Sequence, residues 1–157
     1  MTRVSDAASV VRTAFERQRR GEGPTTDEEA VLLANALKVP EVREVCLAMA
    51  VPAHTPEARE AERLWLTLVR ELPAPERAEP AVLLGYTAFI RGDGAFAGMA
   101  LDNALEACPD HLLAGLLRKV LDHGFPPERL LALALSADPE LAGFGLATTD
   151  VDAGQAV

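Results

Sequence analysis

Proline, glycine and capping residues divide this chain into short segments in which apolar residues recur at every third or fourth position. That spacing is typical of amphipathic α-helices, whereas the alternation of apolar and polar residues that marks a strand is seldom found here. Aromatic residues make up only 4% of the chain, so the core must consist mainly of Leu, Val and Ala. We therefore predict an all-α protein of about seven or eight helices packed as antiparallel hairpins.

Helix starts are marked by capping residues in several segments. Thr25 and Thr26 are each followed three residues later by a glutamate, Glu28 and Glu29, which is the spacing of a capping box. Thr55 precedes Pro56, a pair that suits the N-cap and the first helical position. Further starts are predicted at about Ser5, at Asp93, at the Pro109-Asp110 pair and at the Pro126-Pro127 pair.

The length of 157 residues fits a single domain. We place an all-helical domain at 1–136, made of two halves, 1–72 and 80–136, that a proline-rich connection joins. The second half is predicted to resemble tetratricopeptide hairpins. Residues 137–157 contain few large apolar side chains and are predicted to form a flexible tail.

The net charge of −9 argues against nucleic acid as a partner, because binding to phosphates depends on basic contacts. The first twenty residues are a basic exception, with five arginines against two carboxylates. This segment can pair with an acidic surface. We favour an acidic surface of the same protein, or plain solvation, over an external partner.

The two cysteines, Cys46 and Cys108, are far apart and form no CxxC pair, which is the usage of a reducing compartment. The N-terminus lacks the apolar core of a signal peptide, and no apolar run is long enough to span a membrane. We therefore expect a cytoplasmic protein without a membrane partner.

No recognisable catalytic, cofactor or metal motif occurs, so we predict no catalytic residue, no cofactor and no metal site. His111 and His123 are placed at opposite ends of one helix, about 18 Å apart, and cannot share a metal ion within that helix. His54 precedes a helix cap in a loop. Asp102 and Glu106 share a helix face, which we interpret as a solvated acidic surface.

Residues 78–111 resemble one tetratricopeptide hairpin, in which small side chains let two antiparallel helices approach each other. Leu84-Gly85 matches the Leu-Gly pair of the first helix, and Pro109 matches the terminal proline. The second helix matches at Ala97, Leu101 and Ala104. The pattern fails one repeat upstream and one repeat downstream, which predicts a single hairpin inside a helical domain.

A longer resemblance runs from Leu64 to about Pro127, and more weakly back to the first helix, so it covers about three-quarters of the chain. It is carried by Leu64-Trp65, Ala81-Val82-Leu83-Leu84, Arg91-Gly92-Asp93-Gly94, Ala100-Leu101-Asp102-Asn103-Ala104-Leu105 and Leu112-Leu113-Ala114-Gly115-Leu116-Leu117. These motifs resemble the C-terminal helical half of an actinobacterial family, domain of unknown function 4192. The resemblance implies no catalytic residue. It also implies an N-terminal α/β region that is not matched here, so we expect a stand-alone paralogue or a fragment.

Two classes of function follow from this reading. The first is a non-enzymatic protein-interaction or self-association module, whose partner is another protein or a second copy. The hairpin register puts Tyr86, Phe89 and Ile90 on its concave face, where either a partner or another helix of the same chain must cover them. The second class is a ligand-binding or enzymatic domain with a pocket between the two halves.

Overall fold

The computed structural model describes residues 2–23, 26–127 and 129. This part of the chain forms seven α-helices and no strand, which confirms the all-α prediction. The helices are α1 (Thr2–Arg19), α2 (Asp27–Leu37), α3 (Pro40–Ala48), α4 (Pro56–Glu71), α5 (Ala78–Ile90), α6 (Gly94–Ala107) and α7 (Leu112–Asp122). Most of the helix predicted after Pro126-Pro127, and the whole tail predicted at 137–157, lie outside the described residues.

Three of the predicted caps are confirmed by side-chain hydrogen bonds at the helix N-termini. The Thr26 hydroxyl accepts from the backbone N–H of Glu29 at 3.1 Å, and the Thr55 hydroxyl accepts from Ala58 at 3.0 Å. The Asp93 carboxylate accepts from the N–H of Phe96 at 3.0 Å. Each bond satisfies a donor that the helix itself leaves unpaired.

Two predicted helix starts were wrong. Helix α1 begins at Thr2, so Ser5 lies inside its first turns and is not its N-cap. Helix α7 begins at Leu112, because the ring of His111 is the group that caps it. Helix α5 begins at Ala78, and Pro80 lies in its first turn, where a missing N–H costs no hydrogen bond.

Helix α5 lies at the centre of the domain, as its apolar sequence predicts. Every one of its residues is buried. It packs against α4 and α6 along most of its length, and also contacts α2, α3 and α7. The two predicted halves therefore share one continuous hydrophobic core.

Trp65 of α4 fixes α1 to this core. Its side chain is fully buried, and its indole meets the ring of Phe15 of α1 edge to face, with 5.7 Å between the centroids. The indole Nε1 has no hydrogen-bond acceptor among the described residues. The contact of these two rings is therefore held by packing and not by a polar bond.

Ion pairs between partly exposed side chains connect neighbouring helices. The guanidinium of Arg91 forms two hydrogen bonds with the Glu62 carboxylate, at 2.9 and 2.7 Å, and so joins the end of α5 to α4. The basic segment of α1 pairs with the protein's own acidic residues, as we favoured. Arg19 meets Glu60 of α4 at 3.0 Å.

The acidic pair on α6 also has partners, since Asp102 meets Arg118 at 3.3 Å and Glu106 meets Arg77 at 3.7 Å. Our prediction of a purely solvated acidic face is thus refined, because both carboxylates are exposed and also paired. Within the described ranges, no helix has the length and apolar character needed to cross a membrane.

Candidate functional site

The residues proposed from the sequence as a binding face lie inside the protein. Tyr86, Phe89 and Ile90 are 3%, 5% and 5% exposed. The sequence left open whether a partner or another helix of the same chain covers these side chains. The helices that surround α5 belong to the same chain, so the cover is intramolecular. These three side chains are therefore core residues, and the assignment of a protein-binding face to them is corrected.

One polar cluster is buried between elements of the two halves. Glu79, in the first turn of α5, has a side chain that is 9% exposed. One of its carboxylate oxygens accepts from Arg43 of α3 at 3.0 Å. The other meets Nε2 of His111, at the start of α7, at 3.1 Å. The cluster therefore joins α3, α5 and α7.

Both nitrogens of the His111 ring are engaged. Nδ1 accepts a hydrogen bond from the backbone N–H of Ala114 at 3.2 Å, so it carries no proton. The proton consequently lies on Nε2, which donates it to Glu79. Neither nitrogen has a free lone pair with which to accept a substrate proton or bind a metal ion.

The pKa of Glu79 fits a structural role. Burial by itself raises the pKa of this carboxyl, but the contacts with His111 and Arg43 outweigh burial, and the pKa is lowered from its ordinary value of 4.5. Glu79 is therefore a carboxylate at neutral pH and does not supply a proton. We interpret the cluster as an ionic clasp between three helices.

Two further reactive side chains of the described part of the chain, Cys46 and His54, lie in different surroundings. Burial raises the pKa of the Cys46 thiol to about 12, so Cys46 is a protonated core residue. His54 is exposed in a loop at a positive φ of 68°. The described part of the chain holds no cluster of three or more His, Cys, Asp or Glu residues that could bind a metal ion.

A groove with a volume of about 280 Å³ runs between α1 and α2. Its apolar lining comes from Val10 and Ala14 of α1 and from Leu32 and Leu33 of α2. Ser9, Thr13, Arg17 and Glu29 complete the lining. An ion pair of 3.3 Å between Arg17 and Glu29 bridges the two helices at this groove.

Leu32 is the most unusual side chain of this groove, because it is 55% exposed. It also lines a shallow depression on the outer face of α2, together with Asp27, Glu28, Val31 and Asn35. Leu32 is thus shared by two adjoining concave surfaces. The other exposed large apolar residues of the described chain, Val45, Met99 and Leu112, line neither of them.

Sequence reasoning did not identify the groove or the clasp. The sequence does contain a signal for the groove. Val31, Leu32 and Leu33 are consecutive, and an α-helix cannot turn all three side chains toward one core. Glu79 had a weaker signal as the one charged residue in the apolar run of α5. Arg43 resembles any surface arginine in the sequence, and only the fold brings it to Glu79.

The comparisons with known proteins agree with the resemblance seen in the sequence. A family described as Domain of unknown function (DUF4192) matches residues 2–128, which include all seven helices. A search of curated proteins and a search of solved structures found no significant match. The family match covers most of the chain, including the first helix, where the resemblance was weaker. This chain belongs to the family described as Domain of unknown function (DUF4192).

Proposed function

We propose that this chain is a non-enzymatic protein-interaction domain whose α1–α2 groove receives an apolar side chain of a partner protein. The observation that carries the proposal is the position of Leu32, a half-exposed leucine at the junction of two concave surfaces. Leaving such a side chain in water forgoes part of the roughly 1.5–3 kcal/mol that full burial provides. A partner that covers Leu32 recovers this free energy.

The open shape of the groove favours a protein side chain over a small-molecule ligand. Ligand pockets span roughly 300–1,000 Å³ and enclose most of the ligand. The α1–α2 groove, at about 280 Å³, is open to solvent and does not enclose a ligand in this way. Its two walls are α-helices, which suits the insertion of an apolar side chain from a third helix.

The proposal keeps the helical-hairpin mode of binding that the sequence indicated but moves it from α5 to α1 and α2. The second class of function, a pocket between the halves, has no supporting observation. The polar cluster that joins the halves there is buried from solvent, and both ring nitrogens of His111 take part in hydrogen bonds within the chain. The free cysteines, Cys46 and Cys108, support a cytoplasmic location as part of the proposal.

Selection of random peptides against the immobilised full chain tests this proposal. Recovered peptides are measured again on two variants, Leu32→Ser in the groove and Met99→Ser on the outer face of α6. We expect Leu32→Ser to weaken binding about tenfold or more, and Met99→Ser to leave it unchanged. Thermal melts of both variants verify that they fold. Failure to recover any binder, or binders that ignore Leu32→Ser, would overturn the proposal.

A further inference from the structure

We infer that the partner segment is basic, an amphipathic helix whose apolar anchor is flanked by lysine or arginine. The inference rests on the proposed function of the α1–α2 groove and adds the chemistry of its occupant. Its basis is the charge that surrounds Leu32. Within the described part of the chain, neither Asp27 nor Glu28 forms an ion pair, and both are exposed beside Leu32.

The positive charge nearest to the groove is already compensated. Arg17, which lines the groove, meets Glu29 at 3.3 Å and Glu22 at 3.6 Å. The N-terminus of α2 contributes the equivalent of roughly half a positive charge, which is less than the two carboxylates beside it. The charged residues that line the two concave surfaces, Arg17, Glu29, Asp27 and Glu28, carry one positive and three negative charges, and a basic partner matches this excess of negative charge.

A second copy of this chain matches the groove poorly. The chain has a net charge of −9, so two copies repel each other. The arginines at the end of α1 are also committed to internal partners, since Arg19 meets Glu60 at 3.0 Å and Arg20 meets Glu22 at 3.5 Å. A separate, basic protein segment meets neither obstacle.

Three synthetic helical peptides of about 15 residues test the inference against the full chain. The first has a leucine stripe flanked by lysines, the second has the same stripe flanked by glutamates, and the third has the lysines with alanine in place of leucine. Fluorescence anisotropy measures their affinities. We expect the leucine–lysine peptide to bind at least about tenfold more tightly than either of the others, and less tightly at about 0.5 M salt.

Charge reversal on the protein gives the matching control. The double variant Asp27→Lys with Glu28→Lys should weaken the leucine–lysine peptide about tenfold. Glu57→Lys reverses an exposed carboxylate in the first turn of α4, so it also places a lysine at a helix N-terminus, but it lies outside the groove lining. We expect it to leave the affinity unchanged. Equal losses in the two variants would overturn the inference.

The outcomes separate the inference from the proposed function. If both leucine peptides bind equally well and both are lost on Leu32→Ser, the groove function stands and the basic partner is wrong. If the alanine–lysine peptide binds as well as the leucine–lysine peptide, or if Leu32→Ser has no effect on binding, the groove is not the site and both ideas fail. A dimer in light scattering that Leu32→Ser dissociates identifies a second copy as the occupant and overturns the basic partner.

Discussion

Gly85 of α5 lies so close to Leu101 of α6 that a Cβ atom at residue 85 would stand 2.9 Å from the leucine side chain. Leu101 is 1% exposed, so its side chain is packed inside the core. The contact lets α5 and α6 approach closely as an antiparallel pair.

Gly85→Ala should destabilise the protein by about 1–3 kcal/mol, because the added methyl group overpacks the contact with Leu101. The higher helix propensity of alanine, worth roughly 1 kcal/mol, offsets only part of this cost. Urea unfolding measures the change. Gly115→Ala is the matched control, since a Cβ there would meet nothing within 4 Å. The control should be stabilised by about 0.5–1 kcal/mol, and equal effects of the two substitutions would refute the close contact.

The helices themselves were largely predictable, because caps and apolar spacing are local signals. Thr26, Thr55 and Asp93 cap the helices that the sequence assigned to them. One error, at the start of α7, arose where a distant residue decides the outcome. His111 caps α7 in place of the Pro109-Asp110 pair, and its ring is held there by Glu79, which is 32 residues away in the sequence.

The sequence of α5 does not predict what packs against this helix. A helix that is apolar on all sides is compatible with burial by its own chain or by a partner, and no local pattern separates the two. The structure buries Tyr86 and Phe89 inside the chain. The same limit hid the groove, because a run such as Val31-Leu32-Leu33 indicates an excess of apolar side chains but not which one stays exposed.

The double variant Tyr86→Ala with Phe89→Ala should lower the free energy of unfolding by more than about 5 kcal/mol, which is much of the stability of an ordinary domain. Both side chains fill the core around α5, so their removal leaves cavities. Circular dichroism melts check the loss, and light scattering checks the oligomeric state. If the variant instead keeps its stability but loses a complex, Tyr86 and Phe89 belong to a partner-binding face and not to the core.

Glu79→Gln should make the free energy of unfolding less sensitive to a fall in pH. The folded-state pKa of Glu79 lies below its ordinary value of 4.5, so its carboxylate stabilises the fold above that pH. This contribution is lost as the pH falls through the folded-state pKa. At pH 7 we expect the variant to be less stable by roughly 1–3 kcal/mol, since Arg43 and His111 lose a charged partner.

Urea unfolding between about pH 7 and pH 3 measures this effect, and the gap between the two proteins should narrow toward low pH. Glu71→Gln on α4 is the control, because Glu71 is exposed and makes no ion pair with any described residue. Its stability should follow that of the unmodified protein. If the difference in the free energy of unfolding between the two proteins is the same at all pH values, the charge of Glu79 does not stabilise the clasp.

Mapping of a bound peptide by amide chemical shifts tests the central claim, that the α1–α2 groove is the binding surface, most directly. The tightest peptide from the random selection is titrated into the isotopically labelled full chain. We expect the largest shifts at Ser9, Val10, Thr13, Leu32 and Leu33, which line the groove, and small shifts around Met99 and Leu112. Shifts that instead cluster on α6 and α7 and leave the groove unchanged would contradict the account.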